Sequence, residues 1–120
     1  MSTAAVFKVD KTNNYTVMSN QHFHVLNMSL RAKGLLSLIL SLPDTWDYSI
    51  AGLASLCKES TPTVRAALKE LENLGYLYIE KESPNKTNHG RYTYKYHIYE
   101  NSKTPEKLEM RWGKIDNESE

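Results

Sequence analysis

Between Ser60 and Leu77 the chain reads STPTVRAALKELENLGYL, with apolar residues three and four positions apart. On a helix of 3.6 residues per turn, Val64, Ala67, Leu68, Leu71 and Leu74 share one side. Pro62, Arg65, Ala66, Lys69 and Asn73 fall opposite, on a short-chained face that is basic toward its N-terminal half. Glu70 and Glu72 sit toward the flanks. The pattern predicts a helix over residues 61–74, capped by Ser60 or Thr61. Pro62 is tolerated in its first turn, and Gly75 is a left-handed stop.

Two helices are predicted upstream. Ser29 can cap the first, in which Leu35, Leu36, Leu38, Ile39, Leu40 and Leu42 leave Lys33, Gly34, Ser37 and Ser41 as a narrow polar strip. A helix so apolar is expected at the centre of the fold. Gly34 costs about 1 kcal/mol of helix propensity relative to Ala, and is expected to admit a close neighbour. Pro43 ends this helix, and PDTWD reads as a turn. Ser49 caps a short helix, IAGLASLCK, with Ile50, Leu53, Ala54, Leu56 and Cys57 inward. Ahead of both, Tyr15–Met18 has the β-branched and aromatic character of a short strand.

After Gly75 the apolar period drops to two. YLYIEKE alternates, and so does RYTYKYHIY, which puts Tyr92, Tyr94, Tyr96 and Ile98 on one face and Thr93, Lys95, His97 and Tyr99 on the other. SPNKTNHG between them is rich in turn formers, so the pair reads as a β-hairpin with a long tip. The chain divides into a loose arm over residues 1–14, a folded domain over 15–99 and an acidic tail or linker over 100–120, in which a short helix at Pro105–Trp112 is conceivable.

Composition adds bounds. The 120 residues suit one domain, 40% hydrophobic and 24% charged, with a formal net charge of +1. Residues 61–99 carry six Lys or Arg against four Glu, and residues 100–120 carry four against six acidic residues. The asymmetry permits nucleic-acid binding by the first segment without demanding it. No apolar run approaches the ~20 residues of a membrane span, and the N-terminus lacks the pattern of a signal peptide, so a cytoplasmic location without membrane contact is expected. Cys57 is the only cysteine, which excludes an internal disulfide; a small buried hydrophobe is its expected role.

Two short helices joined by a tight turn, the second amphipathic, then a Gly and a hairpin, make an α+β winged helix-turn-helix. The expected architecture is a three-helix core with a C-terminal hairpin wing and a short N-terminal strand. In such folds the second helix of the turn enters the DNA major groove, and the wing reaches phosphates or an adjacent groove. SLRAKGLLSLILSLPDTWDYSIAGLA, followed by VRAALKELENLGYL and a Tyr-rich hairpin, resembles the N-terminal winged-helix domain of bacterial, phage and mobile-element replication initiators, related to the DnaD-type primosomal proteins and replisome organisers. The resemblance covers about residues 15–99. It implies a duplex-DNA-binding domain that acts by assembly and positioning. The VRAALKELENLGYL part is shared with many winged-helix transcriptional regulators, so that role stands beside it. A protein-interaction module that kept the fold without DNA binding is the third alternative. Other replication proteins and a second copy of the chain are possible partners, with Met1–Asn14 or the Trp112 tail available as a dimer contact.

Within helix 61–74 the expected DNA-binding residues are Thr61, Pro62, Thr63, Arg65, Ala66, Lys69 and Asn73. An Arg here can hold a guanine through two hydrogen bonds, while Lys69, further from the helix start, suits phosphate. Wing 83–91 contributes Lys86, Asn88, His89 and Arg91 for backbone or minor-groove contact. As bare surface charges all of these need no function. The tyrosines can be read as a stacking platform for unpaired bases, but packing of their face on the helices is the simpler expectation. His22 and His24 lack a nearby Cys or carboxylate, so a structural role is expected rather than zinc binding. No phosphate loop, nucleophile elbow or carboxylate pair is present. Neither an enzyme nor a cofactor is expected.

Overall fold

Three serines start the three helices. The Ser29 side chain accepts from the Ala32 N–H, Ser49 from Gly52 and Ser60 from Thr63, each satisfying one orphan donor of a first turn. In the computed structural model, which describes residues 8, 14–42, 49–86 and 89–111, the helices that follow are α1 (Leu30–Ser41), α2 (Ile50–Ser55) and α3 (Thr61–Asn73). Pro43, the turn after it, Asn88, Trp112 and nearly all of the N-terminal arm lie outside the described residues.

The end of α3 is equally specific. The Tyr76 N–H donates to the Leu71 carbonyl at 2.9 Å and the Gly75 N–H to Glu72 at 3.2 Å, with Gly75 at φ +88°. This is the left-handed cap that closes helices through a glycine. It turns the chain directly into β1 (Leu77–Glu82), which pairs antiparallel with β2 (Thr93–Ile98) in the register Leu77↔Ile98 to Glu82↔Thr93. Three helices with a hairpin after them form an α+β winged helix-turn-helix.

The five residues assigned to the inner side of α3 are all buried. They pack with Leu35, Leu36 and Ile39 of α1 and with Leu53 and Ala54 of α2. α2 is shorter than expected, ending at Ser55, and Leu56 is exposed rather than inward. Cys57 is half-buried, its thiol donating to the Leu53 carbonyl. Gly34 does not serve a close approach: a Cβ there would meet nothing within 4 Å. No strand forms at Tyr15–Met18; Tyr15 and Val17 are exposed, and the chain instead takes a 3-10 turn at Gln21–His24.

The tyrosine face also departs from expectation. Leu77 is buried and Ile79 and Ile98 pack against the core, but Tyr92 and Tyr94 are each 56% exposed and Tyr96 is 39% exposed. A six-residue hairpin is about 20 Å long, whereas a helix layer is about 10–12 Å across. The helices therefore cover the hairpin's base, and its distal rungs overhang.

Tyr99 and residues 100–111, the latter expected as tail or linker, pack back on the domain. The Tyr99 N–H donates to Tyr76 O, Lys103 N–H to Gly75 O and Ser102 Oγ–H to Leu74 O at 2.6 Å. Further along, Leu26 N–H donates to Glu109 O and Arg111 N–H to His24 O, around a Val25–Met110 bridge. Of the expected helix at Pro105–Trp112 only a 3-10 turn at Pro105–Lys107 forms. The Gln21 amide oxygen joins both ends, accepting from the Tyr76 hydroxyl at 2.7 Å and the Ser102 N–H at 2.8 Å. Burial pushes the Tyr76 phenol well above its ordinary pKa, so it remains a donor.

His22 is fully buried beneath this junction, 2.9 Å from Ser37 Oγ. Ser37 spends its own proton on the Lys33 carbonyl at 2.8 Å, so the imidazole donates through Nε2–H and leaves Nδ1 a bare acceptor. A second proton would have no partner there. Burial lowers the His22 pKa, Lys33 lowers it further, and Glu100 opposes both. The unfolded chain takes up this proton near pH ~6.5, the folded one only below that. Stability from His22 is therefore complete above about 6.5 and declines as pH falls through that value toward the folded pKa. Melting curves of wild type and His22→Gln between about pH 5 and 8 should show the wild-type advantage shrinking on the acid side. A constant difference across that range would contradict it.

Candidate nucleic-acid interface

Because α3 buries one side completely, it presents the other to solvent. Thr61, Pro62, Arg65, Ala66, Lys69 and Asn73 are all exposed. Thr63 is half-buried and turned aside, with Oγ1 3.0 Å from the Ser60 hydroxyl that caps the helix. The ion pairs found among the described residues lie elsewhere, on the hairpin, so the Arg65 and Lys69 charges are not spent on carboxylates. Glu70, which could have neutralised this face, reaches back to α1 and accepts from the Ser29 N–H at 2.5 Å and the Ser29 hydroxyl at 2.8 Å. One contact thus ties α3 to the cap of α1 and keeps a negative charge off the outer face.

In the wing, Gly90 N–H donates to Asn85 O at 2.9 Å, and His89 and Gly90 both take positive φ, 58° and 75°. His tolerates this conformation better than most residues and Gly adopts it freely. The turn leaves Lys86, His89 and Arg91 exposed at the tip. Asn88 lies outside the described residues. Among the described residues no hydrogen bond or ion pair joins the wing-tip set to the α3 set, so these are two patches on separate elements.

The two hairpin faces differ in charge. Glu82 is 3.5 Å from Lys95 and accepts from Thr93 at 3.0 Å, while Glu80 is 2.9 Å from His97, whose ring lies against Tyr78. Lys95 is thereby committed to Glu82 and withdrawn from the basic residues of this segment. Lys58, which sequence reasoning left out of the site, is exposed in the turn leading to the α3 N-terminus. A lone Lys in a turn carries no sequence signal; its position two residues before the Ser60 cap puts it near the positive end of α3 in the chain.

The comparison that decides the class covers the three helices and the start of the hairpin: residues 26–77 match the family model described as a helix-turn-helix domain. The match spans 52 of the 120 residues and agrees with the helix-turn-helix fold of α2 and α3. No curated protein and no solved structure matches the chain. A helix-turn-helix supports duplex-DNA binding, and α3 is its second helix, with Thr61, Pro62, Arg65, Ala66, Lys69 and Asn73 exposed on the face that such domains turn to the groove. Among the described residues no helix is long and apolar enough to cross a membrane.

Proposed function

We propose that this helix-turn-helix domain binds duplex DNA with sequence selectivity in a replication initiator or replisome organiser, acting by positioning rather than catalysis. The observation that carries the binding mode is the outer face of α3, where Arg65 and Lys69 stand exposed without carboxylate partners. Arg65 reads a base edge, Lys69 and Lys58 hold phosphates, and small Ala66 lets the helix approach. The resemblance of residues 29–54 to the initiator domains supports the replication role. A transcriptional regulator would use the same surface, and α3 by itself fits it equally. Mapping occupied sites across the genome or element that encodes the chain separates the two: sites within an origin favour initiation, sites within promoters favour regulation.

The wing carries its own expectation. Lys86 at the tip contacts phosphate, so Lys86→Ala should weaken binding to specific and random duplex about equally. It should also make the log–log salt dependence shallower by about one unit. Titrations at several salt concentrations measure both. If the wild-type protein binds no duplex even at low ionic strength, the domain is an interaction module instead.

A further inference from the structure

The inner face of the wing has no role in the reading above. Past the rungs covered by the helices it carries Tyr96 and Tyr94 of β2, and Tyr92, one residue before β2 begins, continues their alternation. Opposite Tyr94 stands Lys81, whose ammonium lies 4.2 Å from the centre of the Tyr92 ring. No carboxylate of either strand shares this face. Glu80 and Glu82 project from the other side, where His97, Lys95 and Thr93 engage them. The exposed cations Lys86 and Arg91 lie at the distal end of the row. At its near end Tyr96 borders a largely apolar cavity of about 220 Å³, shared with Ser49, Ile50, Leu53 and Leu68.

We propose that this face binds single-stranded DNA by stacking unpaired bases on Tyr92, Tyr94 and Tyr96. Three features select an unpaired polynucleotide, and the helix-turn-helix fold that carries the face favours DNA over RNA. Exposed aromatic rings in a row suit flat, sequence-tolerant stacking partners. Cations on and beyond the row, with the acids segregated behind it, suit a polyanionic backbone. The spacing excludes a stacked duplex strand: alternate residues of a strand are ~6.8 Å apart, twice the ~3.4 Å between nucleotides along a duplex strand. Bases must be splayed to meet successive tyrosines, which only an unpaired strand allows. The cavity beside Tyr96 then offers the last base an apolar seat. This site is separate from the α3 surface and does not depend on it.

The test compares the full chain with Tyr94→Ala and Tyr94→Phe, using fluorescein-labelled oligothymidylate, oligouridylate and the duplex carrying the preferred site, at low ionic strength. Wild type should bind oligothymidylate, Tyr94→Ala about 5- to 100-fold more weakly, and Tyr94→Phe nearly as well as wild type. Duplex affinity should be unchanged in Tyr94→Ala, and Arg65→Ala should show the reverse pattern. Tyr94 is exposed, so both variants should melt with wild type. The proposal is overturned if folded wild type ignores oligothymidylate or if Tyr94→Ala binds it normally. It also fails if duplex affinity falls as far as single-strand affinity, or if oligouridylate is preferred. Loss of duplex binding in wild type alone would sink the α3 reading and leave this one standing.

Discussion

Gly75→Ala should lower the stability of the domain by about 2–5 kcal/mol. Two costs combine. Gly75 sits at φ +88°, where an L side chain is strained by roughly 1–2 kcal/mol. A Cβ there would also collide with the Ser102 and Thr104 hydroxyls and come within 2.8 Å of the Thr104 backbone nitrogen. The Ser102 hydroxyl cannot swing away freely, because it donates to Leu74 O and accepts from Thr104 N–H, and Thr104 Oγ1, which makes no hydrogen bond, is confined by burial alone. Overpacking of this kind costs about 1–3 kcal/mol, and the backbone nitrogen can retreat only by lifting the whole segment. At about 4–8 °C per kcal/mol for a domain of this size, melting should fall by roughly 10–40 °C. Gly34→Ala is the matched control, because its Cβ would enter open space on an exposed helix position. It should stabilise by about 0.5–1 kcal/mol. Thermal melts of the two variants should move in opposite directions. Equal, small shifts would mean that the segment after Tyr99 is not seated against the end of α3.

Arg65→Ala should weaken binding to the preferred duplex by about 1–3 kcal/mol while changing affinity for random duplex much less. A guanidinium reading a guanine edge loses two hydrogen bonds that only the right base provides, whereas a phosphate contact is lost on every sequence alike. The substitution should leave folding intact, because the side chain is exposed and Ala is the best helix former. Paired titrations on specific and random DNA, with melts as controls, measure all three expectations. Should Arg65→Ala bind its site like wild type, the outer face of α3 is not the reading surface.

α3 was legible in detail because independent signals agree on it. The 3.6-residue period, the Ser60 cap, the early Pro62 and the terminal Gly75 all mark the same span, and the side named inner is the side buried. The outer face followed by subtraction, and its residues are exposed as expected, although Thr63 proved half-buried and committed to the cap. The tyrosine row shows where such reasoning stops. Alternation tells which residues share a face, but how far the helices extend over it depends on the short α2 and the length of the hairpin. The segment over residues 99–111 was illegible for a different reason. Only Leu108 and Met110 of it pack against the core; the rest is held by backbone groups and by the polar side chains of Gln21, Asn27 and Ser102, which leave no hydrophobic period to read. For His22 a structural role was expected, but its full burial was not legible, since one histidine looks alike whether buried or exposed.

The bonds between that segment and the start of the fold also have an architectural consequence. Ser19 donates to Glu100 and Asn101, and Arg111 donates to His24, so the chain leaves the domain beside the place where it came in. To anything joined at either side, the domain is a loop closed at its neck. Two flanking modules would start out as neighbours at that neck, and their separation would be set by their own linkers. Tension between them would load the neck before it reached α3, leaving the orientation of that helix undisturbed while the modules move.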